Sequence, residues 1–185
     1  ANSCRFEDGD TAYMHKTPSG SPTSARIATV SFWFKLGNIN NNFSFFTANK
    51  AGLTHPATFK IILRDANGRL ELQHDDGEAE NDYSLRTNML FRDPSAWYHV
   101  VSAYDTTQGT ASNRIKLYVN GTQVTSFSQE DYPDQNLDLW LGDTEKHSVG
   151  HDAAYDANYF DGYMAEFVYI DGTQYAASDF GEFDE

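Results

Sequence analysis

The stretch from Asp143 to Asp161 gathers the residue types in this sequence most able to do chemistry. It holds Asp143, Glu145, Asp152, Asp156, Asn158 and Asp161, with Gly150 available for tight backbone geometry. Calcium takes about six to eight oxygen ligands, often from loops, so Asp143, Asp156, Asp152 and Asp161 form a candidate calcium set, the first two foremost. No D-x-D-x-D-G run accompanies them, and a solvated acidic loop has the same composition. His147 and His151 have a zinc-like spacing only on a helix, which is not expected here. The same stretch offers Tyr155, Tyr159, His151 and Asn158, and Tyr132 follows Glu130-Asp131. Flat aromatic faces beside planar polar groups are what a sugar ring needs, and loops on a rigid β-scaffold commonly carry binding. Aromatic residues also pin long loops onto sheets, so packing competes with glycan contact as their role.

Hydrolysis of a glycosidic bond would need two carboxylates about 5 Å apart or somewhat more. No E-x-D-x-x-E strand supplies such a pair; Asp75-Asp76-Gly77-Glu78 and Phe183-Asp184-Glu185 read as a solvated turn and a terminus. Phosphate-loop, dinucleotide and H-E-x-x-H patterns are absent too. His99 and Glu166 could form an acid/base pair. However, Glu166 is expected to share an inward face with Met164, Val168 and Ile170, where buried polar groups serve structure. The expectation is a protein that is not an enzyme.

What must position these residues is a set of short strands. The 185 residues are 39% hydrophobic and 15% aromatic, enough for one core and one domain spanning 1–185. Ile27–Lys35 alternates, with Ala28, Val30, Phe32 and Phe34 on one face. Phe59–Leu63 and Arg69–His74 flank Asp65-Ala66-Asn67-Gly68, a hairpin signal, with Leu70 and Leu72 inward and Glu71 and Gln73 outward. Trp97–Tyr104 is apolar on both faces, as in a central strand. Ile115–Val119 runs into Asn120-Gly121 and returns through Thr122–Phe127. Leu137–Leu141 and Tyr163–Ile170 are the last expected strands, and Trp33, Trp97 and Trp140 are expected in the core. Helix is expected only as a short turn within Ala176–Phe183. Hairpin-joined strands without crossover helices predict an all-β antiparallel β-sandwich of the jelly-roll type.

A net charge of −14, from 27 acidic and 13 basic residues, argues against nucleic acid and anionic membrane surfaces as partners. Apolar runs are far shorter than the ~20 residues that span a bilayer, so no membrane insertion is expected. Cys4 is the single cysteine, so no intrachain disulfide forms. Without an initiator Met or a signal-like start, the chain is expected to be a processed product or a piece of a longer one.

Four ordered blocks resemble the laminin-G-like, concanavalin-A-like jelly rolls. They are Val30-Ser31-Phe32-Trp33-Phe34; Trp97-Tyr98-His99-Val100-Val101 with Tyr104-Asp105; Lys116-Leu117-Tyr118-Val119-Asn120-Gly121; and Leu141-Gly142 with Phe160-Asp161-Gly162-Tyr163-Met164-Ala165-Glu166-Phe167. Longer matches run from Arg92 to Val100, Asn113 to Gly121 and Phe160 to Glu166, with Ile170-Asp171-Gly172 and Phe180-Gly181-Glu182. These are similar to jelly-roll modules in tail-fibre and other virion proteins of tailed bacteriophages. The resemblance implies a virion surface location and host-receptor or glycan adhesion within a tail fibre. Its alternative is a capsid decoration subunit bound to other virion structural proteins; a homotrimer suits either, and a carbohydrate-active enzyme trails both.

Overall fold

A computed structural model describes residues 2–39, 41–50, 57–64, 68–77 and 82–181 of the chain. Along the chain its strands are β1 (Ser3–Phe6), β2 (Met14–Lys16), β3 (Ile27–Leu36), β4 (Phe43–Lys50), β5 (Ala57–Arg64), β6 (Arg69–Asp75) and β7 (Tyr83–Leu90). They continue as β8 (Tyr98–Asp105), β9 (Ile115–Val119), β10 (Thr122–Gln123), β11 (Phe127–Asp131), β12 (His147–Val149) and β13 (Gly162–Asp171). Among the described residues, helix is confined to a four-residue turn, α1 (Ala111–Arg114), and a 3-10 turn at Ala177–Asp179, the latter inside the expected window. Two sheets result, a six-stranded one ordered β1-β13-β3-β8-β9-β10 and a seven-stranded one ordered β11-β7-β6-β5-β4-β12-β2. The strand pairings are antiparallel. The antiparallel sandwich expected from the sequence is therefore the fold.

Alternation explains how the sheets close on each other. Val30, Phe32 and Phe34 from β3 meet Phe43, Phe45, Phe59, Ile61, Leu70 and Leu72 of the other sheet in one buried cluster. Phe34 and Phe45 lie 4.5 Å apart, centroid to centroid, across the two layers. Each fully buried ring contributes roughly 1.5–3 kcal/mol. β8 lies between β3 and β9 and is buried from His99 to Tyr104, as a central strand should be. At the β9–β10 hairpin, Asn120 and Gly121 take φ of 48° and 79°, the left-handed pair a two-residue turn requires. β5 and β6 pair as the expected hairpin from Arg64 and Arg69 outward. Its turn residues Asp65, Ala66 and Asn67 lie outside the described residues, as do Glu78 and the terminal Glu182, Phe183, Asp184 and Glu185.

Several expectations need correction. Leu137–Leu141 is not a strand; it crosses from β11 at one edge of its sheet toward β12 near the other, while Leu139 and Leu141 still drop into the core. The return from Asn120-Gly121 stops at Gln123, and β11 then joins the opposite sheet. The three tryptophans stay out of the fully buried core. Trp97 precedes β8 and is 38% exposed, Trp33 stacks on His99 on an outer face, and Trp140 packs at the core margin under the Lys50 ammonium. The rings that fill the interior are phenylalanines and tyrosines.

Glu166 is also reassigned. Between Ala165 and Val168, β13 carries an extra residue relative to β3, and Glu166 sits at φ 51°. A one-residue bulge reverses the facing of everything beyond it. Phe167 and Tyr169 therefore pack against the core, while Glu166 and Val168 point to solvent.

Candidate functional site

The outer face of the seven-stranded sheet carries a dense polar network. Strand period puts Lys60, Ile62 and Arg64 of β5, Glu71 and Gln73 of β6, and Ser84 and Arg86 of β7 on that side, opposite the core-facing Phe59, Ile61, Leu70, Leu72 and Leu85. Glu71 and Gln73 do point outward as expected, yet Glu71 is only 1% exposed because other side chains cover it. Its Oε1 accepts from Ser84 Oγ at 2.7 Å and Arg86 Nη2 at 3.2 Å; its Oε2 accepts from Arg64 Nε at 2.6 Å and Arg86 Nε at 3.3 Å. Burial alone would raise its pKa, but the donors from Ser84, Arg86 and Arg64 outweigh burial and hold it below the ordinary glutamate value. Arg64 Nη2 also donates to Gln73 Oε1 at 2.9 Å. That guanidinium is thus clamped while still partly exposed.

Next to this network stands the loop from Gly150 to Asp161. Gly150 turns out of β12 at φ 81°, and a Cβ there would lie 2.6 Å from the Phe6 ring. Phe160 plugs the loop's far end into the core between Phe6, Phe43 and Phe45. Backbone bonds tie Gly150 N to Phe45 O, Ser44 N to Asn158 O and Phe160 N to Gly150 O, and Thr47 Oγ1 donates to His151 O. Asp152 is buried, and Lys60 Nζ donates to its Oδ2 at 2.8 Å. The Lys60 ammonium also lies 4.4 Å from the Tyr155 ring centroid.

Loop and network enclose a cleft of about 300 Å³ lined by Asn42, Lys60, Arg64, Gln73, Tyr155 and Asn158, with Ile62, Phe43 and Asp152 completing it. Tyr155 is 55% exposed and presents its ring at the rim. Asn158 follows at φ 54°. Chemically this is an aromatic platform, two side-chain amides and a fixed guanidinium around a small polar hollow. The carboxylate in its lining, Asp152, and the one beneath it, Glu71, are both engaged by cations.

The proposed sugar contacts divide among three places. Tyr155 and Asn158 line the cleft. His151 and Tyr159 lie stacked on the other flank of the loop, ring centroids 4.5 Å apart, with Tyr13 tilted against His151 at another 4.5 Å. Tyr132 follows β11, the far edge strand of the sheet, where it is partly buried against the core and donates to Glu130 at 3.3 Å.

The four candidate calcium ligands do not converge. Asp143 faces Lys50 at 3.8 Å, Asp152 binds Lys60, and Asp156 accepts from Tyr159 Oη at 2.6 Å with His151 Nε2 at 3.1 Å. Those hydrogen bonds lower the Asp156 pKa, and the carboxylate pushes the Tyr159 phenol up to about 12. Asp161 instead accepts from Asn38 at 2.8 Å. Among the described residues, the acidic group with oxygens within 4.8 Å of one another is Glu7, Asp8 and Asp161. His147 and His151 form no metal pair, because β12 and the turn after it replace the helix that spacing needs. His147 Nε2 accepts from Gly142 N and its Nδ1 donates to Glu145 O.

His99 and Glu166 belong to the outer face of the other sheet. His99 Nε2 lies 2.9 Å from Ser31 Oγ, and burial depresses its pKa against the opposing pull of Glu166. Sequence reasoning missed Lys60, Arg64, Glu71, Gln73, Arg86 and Asn42. The available signal was a set of cations at alternate, outward positions of adjacent strands in an otherwise acidic chain.

The comparisons with known proteins agree with this geometry at the level of fold. A family model described as Laminin_G_3, concanavalin A-like lectin/glucanases superfamily, matches residues 8–177. The chain superposes on the K499G mutant of NanB sialidase from Streptococcus pneumoniae with a TM-score of 0.66 and 17% identity, covering 100% of this chain and 27% of that one. It covers 91% of itself and 95% of the Ruminococcus gnavus IT-sialidase CBM40 bound to alpha2,6 sialyllactose, with a TM-score of 0.58 and 12% identity. For a putative carbohydrate binding protein from Bacteroides ovatus the TM-score is 0.55 at 22% identity, covering 90% and 42%. The chain thus spans about a quarter of the NanB sialidase. No curated protein matches it in sequence. With 170 consecutive residues matched on a two-sheet jelly roll, the chain belongs to the Laminin_G_3 family of the concanavalin A-like lectin/glucanases superfamily.

Proposed function

We propose that the chain is a non-catalytic glycan-binding module whose ligand sits in the cleft beside Arg64 and Tyr155, and that this ligand carries a carboxylate. One observation carries the reading: a clamped, partly exposed guanidinium and a 55% exposed tyrosine ring border the same polar cleft. Lys60 is matched by Asp152, while Glu71 is shared by Arg64 and Arg86, so these five groups carry one positive charge in excess within a chain whose net charge is −14. Of those two guanidiniums, Arg64 lines the cleft. A planar donor fork held in place loses little entropy on binding a carboxylate. The superposable CBM40 bound to sialyllactose supports the same choice. Asp152 and Glu71, each spent in ion pairs, leave the cleft poorly equipped for acid/base work.

The setting we propose is a tail fibre at a virion surface that adheres to host-cell glycans. Its support is the run of sequence blocks from Arg92 to Glu166 that resemble phage virion jelly rolls. Titration calorimetry with sialyllactose and with lactose tests the cleft. The acidic sugar is expected to bind about tenfold more tightly or better, and Arg64→Ala and Tyr155→Ala each to erase about tenfold. Equal affinity for lactose, binding indifferent to both substitutions, or release of free sugar would overturn the reading.

A further inference from the structure

We infer that a second, aromatic subsite at Tyr13 extends the cleft, so that the preferred ligand is an oligosaccharide rather than a terminal sugar alone. This rests on the cleft reading above and adds a separate surface to it. One cross-strand row of outward residues links the two places: Gln73 pairs with Lys60, Lys60 with Thr47, Thr47 with Ser148, and Ser148 with His15. Lys60 and His15 are therefore on the same face, three strands apart, or about 14 Å at ordinary strand spacing. The Gly150–Asp161 loop sits over Thr47 in the middle of that row. Its Tyr155 and Asn158 flank turns to the cleft, and its His151 and Tyr159 flank turns to Tyr13.

The far flank is built as a rigid platform. Tyr13 lies 4.5 Å from His151, 5.8 Å from His15 and 6.3 Å from Tyr159, ring to ring. Asp156, itself 85% exposed, holds both His151 and Tyr159 by hydrogen bonds, so the stack is oriented from its solvent side. His151 at the base of the stack is 3% exposed, as a loop pin would be, whereas Tyr13 against it is 40% exposed and His15 beside it is exposed. An exposed, immobilised tyrosine face suits the apolar face of a pyranose and needs no charge. A chain reaching from Arg64 past Tyr155 to Tyr13 spans more than one sugar ring.

Calorimetry with 3′-sialyllactose and with a pentasaccharide ending in the same trisaccharide separates the two sites. The longer probe is expected to bind about fivefold more tightly. Tyr13→Ala is expected to remove that gain while leaving sialyllactose affinity and the unfolding midpoint near wild type, and Tyr13→Phe to keep the gain. Equal affinity for both probes, or a gain that survives Tyr13→Ala, overturns the subsite and leaves the cleft standing. Failure of both probes to bind overturns the cleft reading and the subsite with it.

Discussion

On the outer face of the six-stranded sheet, Ser31, Trp33 and His99 lie beneath the carboxy-terminal stretch, with the Phe180 ring 6.3 Å from His99. On the outer face of the seven-stranded sheet, Lys60, Glu71 and Arg86 lie beside an open cleft. Both faces come from the same alternation, and both bury polar groups. The first is closed by chain: Thr29 Oγ1 donates to Thr173 O and accepts from Tyr175 N, while Gln174 reaches Ala103 O. On the second, Glu71, Ser84, Arg64 and Arg86 satisfy one another within the sheet and Lys60 is met by Asp152 of the adjoining loop, which leaves the cleft between them accessible. A buried polar floor can therefore be sealed or left open, and only the open kind can meet a ligand.

Removing either support should show the contrast. The largest effect is expected from Asp152→Ala, which leaves Lys60 buried without its partner and unties the loop: about 3 kcal/mol, or roughly 6–12 °C in the unfolding midpoint. Faster amide exchange confined to the Gly150–Asp161 loop would locate the damage, and an unchanged midpoint would remove the ion pair from the argument. Glu71→Ala should be milder, about 2 kcal/mol, because Arg64 and Arg86 are partly exposed and can turn to water. Chemical denaturation reads that value. On the closed face Phe180→Ala should cost about 1 kcal/mol and leave sugar affinity unchanged. Altered affinity would mean that the two faces communicate.

Acid offers the gentlest probe, and it should reach the closed face first. His99 has a depressed folded pKa, so its contribution is fully present above the ordinary histidine value of 6.5 and declines as pH falls through it, the unfolded chain taking up the proton first. Glu71, whose folded pKa is also lowered, contributes fully above 4.5 and loses that contribution only as pH drops further. Unfolding midpoints between pH 7 and 5 should therefore slope downward, and His99→Gln should flatten part of that slope. His147, which burial depresses likewise, contributes in the same window. A slope identical in the variant would show that His99 is not the group titrating.

How much was legible in the sequence follows the same division. Val30, Phe32 and Phe34, the central β8 and the Asn120-Gly121 turn are local patterns, and each formed as read. The crowded Asp143–Asp161 stretch drew attention to a loop that does border the cleft, and Tyr155 and Asn158 stand at it. Strand period also reported that Glu71 points outward. It could not report that Arg64 and Arg86, 7 positions before and 15 after it, would close over it. The Glu166 bulge was invisible for a related reason: one added residue changes no local propensity, yet it reverses every facing beyond it. Tyr13 escaped because its partners come from a loop some 140 residues away in the chain.

The lengths of the outermost strands bear on how the molecule behaves in a crowd. β1, β10, β11 and β2 have 4, 2, 5 and 3 residues, against 8 to 10 in β3, β4, β5, β8 and β13. Each sheet thus ends in a strand too short to template the backbone of a neighbouring copy for long. Arg5, Lys16, Glu130 and Asp131 place charge along three of those margins. Intermolecular sheet growth, the route by which sandwiches aggregate, finds little purchase at either border.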